Sequence, residues 1–138
     1  LLEVLRELGS NHVLIVSADD GLDEISNGSS TTIGELRNGK ISSYTVTPED
    51  FGVERINSYE VFQINSAEES FTILKKALTY ESKVAGDIVA LNAGAAIYAA
   101  NLVDSLSEGV EKAKSVLSSG IALAKLESLA QFSQKASN

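Results

Sequence analysis

The 138-residue chain has no cysteine, a single proline and a single histidine, His12. The lack of cysteine excludes disulfides, a thiolate nucleophile and a zinc–thiolate site, and it fits a cytoplasmic location. A Ser-His-Asp hydrolase would have to place its histidine at the entrance of the strand that begins at His12, which is geometrically unfavourable. We therefore interpret His12 as a structural or solvated residue.

Methionine is also absent, and the chain begins with Leu1-Leu2-Glu3-Val4-Leu5, a helical pattern that is already under way. These two features predict that the chain is part of a longer protein. Part of the functional machinery is then expected upstream of Leu1.

Positive charge is scarce, because 11 Lys and Arg residues stand against 19 Asp and Glu residues and the net charge is −8. This balance opposes non-specific binding to nucleic acid, which depends on cations that neutralise phosphates. Neither a G-x-G-x-x-G nor a Walker sequence is present, so phosphate binding would go through a metal. The longest apolar stretch, Ile88 to Ala100, contains Asn92 and is shorter than the ~20 residues of a membrane span. It predicts a buried helix and no membrane insertion.

The first half of the chain predicts a short helix ending at Gly9, a strand from His12 to Val16, and a β-hairpin. The hairpin is indicated by Asn38-Gly39, the strongest signal for a two-residue turn, between two strand-like runs. These runs are Thr31 to Arg37 and Lys40 to Val46. Thr47 and Pro48 predict one short helical turn that ends at Gly52. Asn27 to Ser30 are expected to form the most mobile loop.

The second half predicts four helices. Capping boxes at Ser66 and Ser105 start the first and third, and Gly120 separates the third from the fourth, which runs to about Ser133. In the first, which ends near Tyr80, Phe71, Leu74 and Leu78 form an apolar stripe. The second is expected to follow a connector from Ser82 to Gly86, with Asp87 as its cap. Its small residues, Gly94 among them, predict close approach of a neighbouring helix, because glycine costs about 1 kcal/mol in a helix relative to alanine.

Four carboxylates in six residues, the run Asp19-Asp20-Gly21-Leu22-Asp23-Glu24, directly follow the apolar strand. In open α/β folds, ligands bind beyond the carboxyl ends of strands. A loop can turn Asp23 and Glu24 towards one ion, and Mg²⁺ is usually held by one or two carboxylates together with substrate phosphates. A solvated acidic turn remains the alternative on residue types alone. An EF-hand is excluded, because its glycine would have to come later in the loop.

Several strings, in this order, resemble the C-terminal half of the anthranilate phosphoribosyltransferase family, and the resemblance spans nearly the whole chain. They are Leu5-Arg6-Glu7-Leu8-Gly9-Ser10, Gly21-Leu22-Asp23-Glu24-Ile25-Ser26, Thr47-Pro48-Glu49-Asp50-Phe51-Gly52, Leu91-Asn92-Ala93-Gly94-Ala95-Ala96-Ile97-Tyr98, Asp104-Ser105-Leu106-Ser107-Glu108-Gly109-Val110 and Ser119-Gly120-Ile121-Ala122-Leu123-Ala124-Lys125-Leu126. Each string alone is only modestly specific for the family, but the order and spacing of all of them together are strongly specific for it.

The resemblance implies an α/β fold of the nucleoside phosphorylase/phosphoribosyltransferase type, with a β-hairpin and a helical C-terminal part. Residues 1–138 would be the C-terminal portion of its large α/β domain, without the N-terminal helical domain. The implied activity is transfer of a phosphoribosyl group from phosphoribosyl pyrophosphate to anthranilate in tryptophan biosynthesis, by a homodimer. The implied cofactor is Mg²⁺, held in part by Asp23 and Glu24, whereas no catalytic residue of the family maps onto this chain.

The chain departs from the family in two respects. Ser17-Ala18 stand where many relatives carry His-Gly or His-Ser. The family's glycine-rich pyrophosphate loop, its Lys-His-Gly-Asn motif and its anthranilate-binding Asn and Arg are absent from the chain, so we do not expect it to turn over alone.

Two other classes of protein remain as alternatives. A pyrimidine nucleoside phosphorylase shares the architecture, but the Gly-Leu-Asp-Glu string argues against it. A non-catalytic relative could be structural or could bind nucleic acid, and the second of these roles would require a basic face.

Overall fold

The computed structural model describes residues 1–136, which form three strands and five α-helices. In chain order they are α1 (Leu2–Glu7), β1 (His12–Ala18), β2 (Thr31–Arg37), β3 (Lys40–Val46), α2 (Ala67–Leu78), α3 (Lys83–Ala99), α4 (Leu106–Ser118) and α5 (Ile121–Ala136). Two short 3-10 helices, Pro48–Phe51 and Glu60–Phe62, lie between β3 and α2. Among the helices of these residues, none combines the length and apolarity that crossing a bilayer requires.

The three strands form one antiparallel sheet in the order β1-β2-β3. At the turn between β2 and β3, Asn38 and Gly39 have φ values of 52° and 76°. Positive φ at both central residues is the geometry that Asn-Gly favours, and the predicted hairpin is confirmed. The register pairs Ala18 with Thr31, so β1 ends where β2 begins. The acidic loop therefore connects two neighbouring strand ends.

The serine caps predicted for α2 and α4 are confirmed, because Ser66 accepts a hydrogen bond from the Glu69 amide and Ser105 accepts one from the Glu108 amide. The second half of each capping box differs from the prediction, because each glutamate carboxylate accepts from the amide one residue before the cap. The apolar stripe of α2 is only partly covered by the described residues. Phe71 is 51% and Leu74 is 41% exposed, whereas Leu78 packs against the core.

The expected cap of α3 was wrong. Ser82 caps this helix by accepting a hydrogen bond from the Ala85 amide at 3.4 Å, so the helix begins at Lys83 and the predicted connector is mostly helical. Asp87 lies inside the helix and is only 2% exposed. It accepts hydrogen bonds from Lys83 Nζ at 2.7 Å and from the Tyr80 hydroxyl. Two donors thus stabilise a carboxylate that burial would otherwise disfavour.

Helices α3 and α4 approach each other closely at two glycines. A Cβ atom on Gly94 would lie 2.5 Å from the Val110 nitrogen, and one on Gly109 would lie 2.3 Å from the Gly94 oxygen. Both neighbouring atoms belong to the backbone and cannot move aside cheaply. This contact supplies the packing reason that the small residues of α3 indicated.

A buried carboxylate joins the sheet to α3. Glu35 Oε1 accepts hydrogen bonds from His12 Nε2 at 3.1 Å and from the Tyr98 hydroxyl at 2.8 Å, and Oε2 accepts one from the Tyr44 hydroxyl at 3.0 Å. The other ring nitrogen of His12 lies 2.9 Å from Asn101 Oδ1. The His12 side chain is almost completely buried, which agrees with its structural interpretation.

We expect Gly94→Ala to lower the free energy of unfolding by about 2 kcal/mol, because the penalty of overpacking exceeds the gain in helix propensity. At the exposed position of Ala96 on the same helix, Ala96→Gly should lower it by only about 1 kcal/mol through propensity alone. Urea unfolding measures both values. A stabilising Gly94→Ala substitution would contradict the close helix contact.

Glu35→Ala should lower the free energy of unfolding by about 3 kcal/mol or more, because it leaves the buried donors of His12 and Tyr98 and the partly buried hydroxyl of Tyr44 without their acceptor. Tyr44→Phe removes one of the same hydrogen bonds and should cost roughly 1.5 kcal/mol. Thermal unfolding followed by circular dichroism ranks the two variants. Equal losses would show that Glu35 is not the shared acceptor.

Candidate functional site

The acidic loop runs from the end of β1 to the start of β2 and turns sharply at Gly21. The Gly21 amide donates to the Ala18 oxygen at 3.1 Å, and the Ala18 amide donates to the Leu22 oxygen at 3.2 Å. Gly21 has a φ of 90°, which suits glycine. Backbone hydrogen bonds therefore fix the path of the loop up to Leu22.

Of the four carboxylates in the loop, Asp20 is used to hold the loop together. Its Oδ2 accepts hydrogen bonds from Ser26 Oγ at 2.7 Å and from the Tyr59 hydroxyl, and its Oδ1 accepts one from the Leu22 amide at 3.2 Å. Burial acts to raise the pKa of Asp20, but the hydrogen bonds from Tyr59, Ser26 and Leu22 together lower it below its usual value. Asp20 is therefore an ionised anchor with both oxygens engaged.

Asp23 and Glu24 differ from Asp20, because within residues 1–136 neither side chain accepts a hydrogen bond. Asp23 is exposed and Glu24 is partly buried. The pKa of Glu24 is raised, first by burial and then by the negative charge of Asp23. The two adjacent carboxylates thus carry negative charge that no protein donor in the described part of the chain offsets.

A second anchor lies directly after Glu24. The Ile25 amide donates to Asn92 Oδ1 at 2.8 Å, and Asn92 Nδ2 donates to the Ile25 oxygen at 2.9 Å. Asn92 belongs to α3, so the loop is attached to this helix. Asp23 and Glu24 therefore lie on a short stretch of chain between two fixed points, Asp20 and Ile25.

The expectation that Asn27 to Ser30 form a mobile loop was wrong for its first residue. Asn27 is completely buried. Its Nδ2 donates to the Val84 oxygen at 3.0 Å, and its backbone oxygen accepts from the Ile56 amide at 3.0 Å. The Asn27 side chain therefore bonds to the backbone of Val84 instead of to solvent. The polar sequence pattern gives no sign of this contact.

The residues that hold the acidic loop were not identified from the sequence. Asn92 did carry a signal, because it is the one amide inside the apolar run of α3, where an unpaired polar side chain would be costly. Tyr59 carried none, since it stands outside any motif. Ser26 was recognised only as the last residue of the family string that begins at Gly21, and its hydroxyl accepts from the Gly28 and Ser29 amides.

The carboxylate oxygens of Asp23 and Glu24 fit Mg²⁺ better than a cation whose ligands must all come from the protein. Among the described residues, no group of three or more His, Cys, Asp and Glu side chains could hold a metal ion. Two carboxylates without protein donors suit an ion whose other ligands are water and substrate phosphates. The chemistry of the pair therefore fits part of a Mg²⁺ coordination shell and not a complete one.

The chain belongs to the glycosyl transferase family, a/b domain, whose sequence profile matches residues 1–123. It is 57% identical over 137 residues to the anthranilate phosphoribosyltransferase of Hahella chejuensis, covering 96% of this chain and 39% of that protein. This relative confirms the family resemblance seen in the sequence strings.

Solved structures show the same fold. The crystal structure of anthranilate phosphoribosyltransferase from Thermus thermophilus matches with a TM-score of 0.82 and 37% identity, over 95% of this chain and 38% of that one. The Saccharomyces cerevisiae enzyme in complex with PRPP and Mg matches with a TM-score of 0.63 and 22% identity, over 84% and 33% of the two chains. The expected α/β fold is confirmed, and the chain spans about two fifths of the length of its relatives.

We expect Asp23→Asn to lower the pKa of Glu24, because it removes one of the two causes that raise it. The pKa should remain above its usual value, since burial persists. Carbon-detected NMR titration of the Glu24 carboxyl in metal-free protein measures the change. An unchanged pKa would show that the two carboxylates do not share one electrostatic environment.

Proposed function

We propose that the longer protein containing this chain is an anthranilate phosphoribosyltransferase of tryptophan biosynthesis. It would transfer the phosphoribosyl group of phosphoribosyl pyrophosphate to anthranilate, giving N-(5-phosphoribosyl)anthranilate and pyrophosphate. The high identity to the Hahella chejuensis enzyme over nearly the whole chain supports this activity. Residues 1–138 would be the C-terminal portion of its α/β domain.

Asp23 and Glu24 would hold Mg²⁺ at the pyrophosphate. The observation that carries this assignment is a pair of adjacent carboxylates without protein donors, on a loop fixed at Asp20 and Ile25. When bound, the ion supplies positive charge beside the pyrophosphate, where negative charge increases during the reaction. The Saccharomyces cerevisiae relative, which was solved with PRPP and Mg, has the same fold.

The residues of this chain would orient rather than react. In the transfer, the bond between the ribosyl carbon and a pyrophosphate oxygen breaks, and a bond from the anthranilate nitrogen to that carbon forms. The amine loses one proton, and pyrophosphate leaves with the electron pair. The attacking group is supplied by the substrate, so the loop contributes by holding its two carboxylates at the correct place before substrate binds.

Four further features, which follow from the resemblance or from composition, stay predictions. The anthranilate contacts and the glycine-rich pyrophosphate loop would be supplied by the longer protein, so the isolated chain should be inactive. The longer protein should be a homodimer in the cytoplasm. The acidic balance of this chain makes nucleic acid an unsuitable partner.

The fluorescence of anthranilate, followed with phosphoribosyl pyrophosphate and Mg²⁺, tests the proposal on the longer protein. We expect fluorescence to fall with the parent enzyme. In the Asp23→Asn/Glu24→Gln variant the rate should fall by at least about 100-fold, more than the loss of an outer-shell partner usually causes.

Glu68→Gln/Glu69→Gln is the matched control, because it also removes two adjacent carboxylates, at the exposed start of α2. Its rate should stay within about twofold of the parent. A folded parent that leaves anthranilate unchanged would exclude the proposed activity and favour the phosphorylase or non-catalytic alternatives. Equal losses in both double variants would exclude a specific role for Asp23 and Glu24.

A further inference from the structure

Tyr59 contacts the acidic loop from a distant part of the sequence. It lies between the two 3-10 helices, just before Glu60–Phe62. Its hydroxyl donates to Asp20 Oδ2 and lies 2.7 Å from Ser26 Oγ. The Tyr59 hydroxyl thus connects Asp20, near the start of the loop, to Ser26, which directly follows Ile25.

The ring of Tyr59 also packs on the loop backbone at Gly28. A Cβ atom on Gly28 would lie 2.5 Å from the Tyr59 hydroxyl oxygen and 3.0 Å from its ring Cζ. The lack of a side chain at Gly28 therefore leaves room for the ring. Tyr59 is held against the loop by packing as well as by hydrogen bonds.

The contact with Asp20 reaches the backbone next to Asp23. Asp20 Oδ2 is held by Tyr59 and Ser26, while Oδ1 of the same carboxylate accepts from the Leu22 amide. Turning the Asp20 carboxylate would break its hydrogen bond to the residue that directly precedes Asp23. The hydroxyl of Tyr59 thus restrains the backbone of the proposed ligands without touching them.

We propose that Tyr59 is a positioning residue that acts through Asp20 to hold Asp23 and Glu24 in the orientation that Mg²⁺ requires. This inference rests on the proposed metal role of that pair. Mg²⁺ demands nearly ideal octahedral geometry, so the direction of its carboxylate ligands matters. Partners that orient ligands from an outer shell typically change metal affinity by roughly 10- to 100-fold.

Tyr59→Phe in the longer protein removes the hydroxyl and keeps the ring on Gly28. In metal-free protein, hydrogen exchange at the Leu22 amide should accelerate about tenfold, because its acceptor Asp20 loses one of the two hydroxyl donors that restrain it and keeps only Ser26. Exchange at the Ile25 amide should stay unchanged, since Asn92 holds it independently.

The second measurement is calorimetric binding of inorganic pyrophosphate at increasing Mg²⁺. The Mg²⁺ concentration that gives half-maximal binding should rise by at least about 10-fold in Tyr59→Phe. Adding Tyr59→Phe to Asp20→Asn should cause little further change, because both substitutions interrupt the same connection.

Tyr44→Phe is the matched control, because it also removes a hydroxyl bonded to a carboxylate, in this case Glu35 on β2. It should change neither the Leu22 exchange rate nor the Mg²⁺ requirement. Unchanged exchange at Leu22 in Tyr59→Phe would overturn the inference, and so would faster exchange with an unchanged Mg²⁺ requirement. Neither measurement uses turnover, so the fluorescence assay decides the proposed activity separately.

Discussion

The two hydrogen bonds between Asn92 and the backbone of Ile25 are the constraint on which the site depends, because they attach the acidic loop to α3. The same helix is fixed at two further points. Gly94 brings it against the backbone of α4, and Tyr98 reaches the buried carboxylate of Glu35. Between Asn92 and Tyr98, α3 thus contacts the acidic loop, α4 and the sheet. A shift of α3 would therefore displace both the acidic loop and the core.

The carboxylates of Glu35 and Asp87 differ from those of Asp23 and Glu24 in how many hydrogen-bond donors they have. A buried charge is tolerated only where donors surround it. Glu35 has three donors, and Asp87 has Lys83 and Tyr80. Asp23 and Glu24 stand apart, because the described residues offer them none and Glu24 is nevertheless partly buried. A cation beside the pair would offset the repulsion that helps to raise the pKa of Glu24, and this is the physical support for the metal role that we propose.

Sequence patterns predicted the parts of the fold that local chemistry determines. Asn38-Gly39 placed the hairpin, because positive φ values at two successive residues suit few other dipeptides. Ser66 and Ser105 placed two helix starts, because their side chains satisfy backbone donors three residues away. Gly94 indicated close packing, since glycine within a helix needs a compensating contact.

The same patterns failed where tertiary contacts decide. Asp87 looked like a cap because aspartate favours that position, yet Tyr80 and Lys83 stabilise it inside the helix. Asn27 was expected in a mobile loop, yet it bonds to backbone 57 residues away. The pairing of Tyr59 with Asp20 across 39 residues has no local signature. For the proposed site, the sequence strings pointed to Asp23 and Glu24, but not to the side chains that hold their loop.

The chemistry of the anchors explains how the loop can be fixed and still keep its negative charge. Asn92, Ser26 and Tyr59 are neutral donors, so they fix backbone and Asp20 without placing a cation beside Asp23 and Glu24. Two cations that are adjacent in sequence to the backbone partners of Asn27, Ile56 and Val84, are bound to other carboxylates. Arg55 pairs with Glu49 at 2.9 Å, and Lys83 pairs with Asp87 at 2.7 Å. Holding the loop with a lysine or arginine would have neutralised the charge that a metal ion needs, whereas amide and hydroxyl groups hold it and leave that charge available.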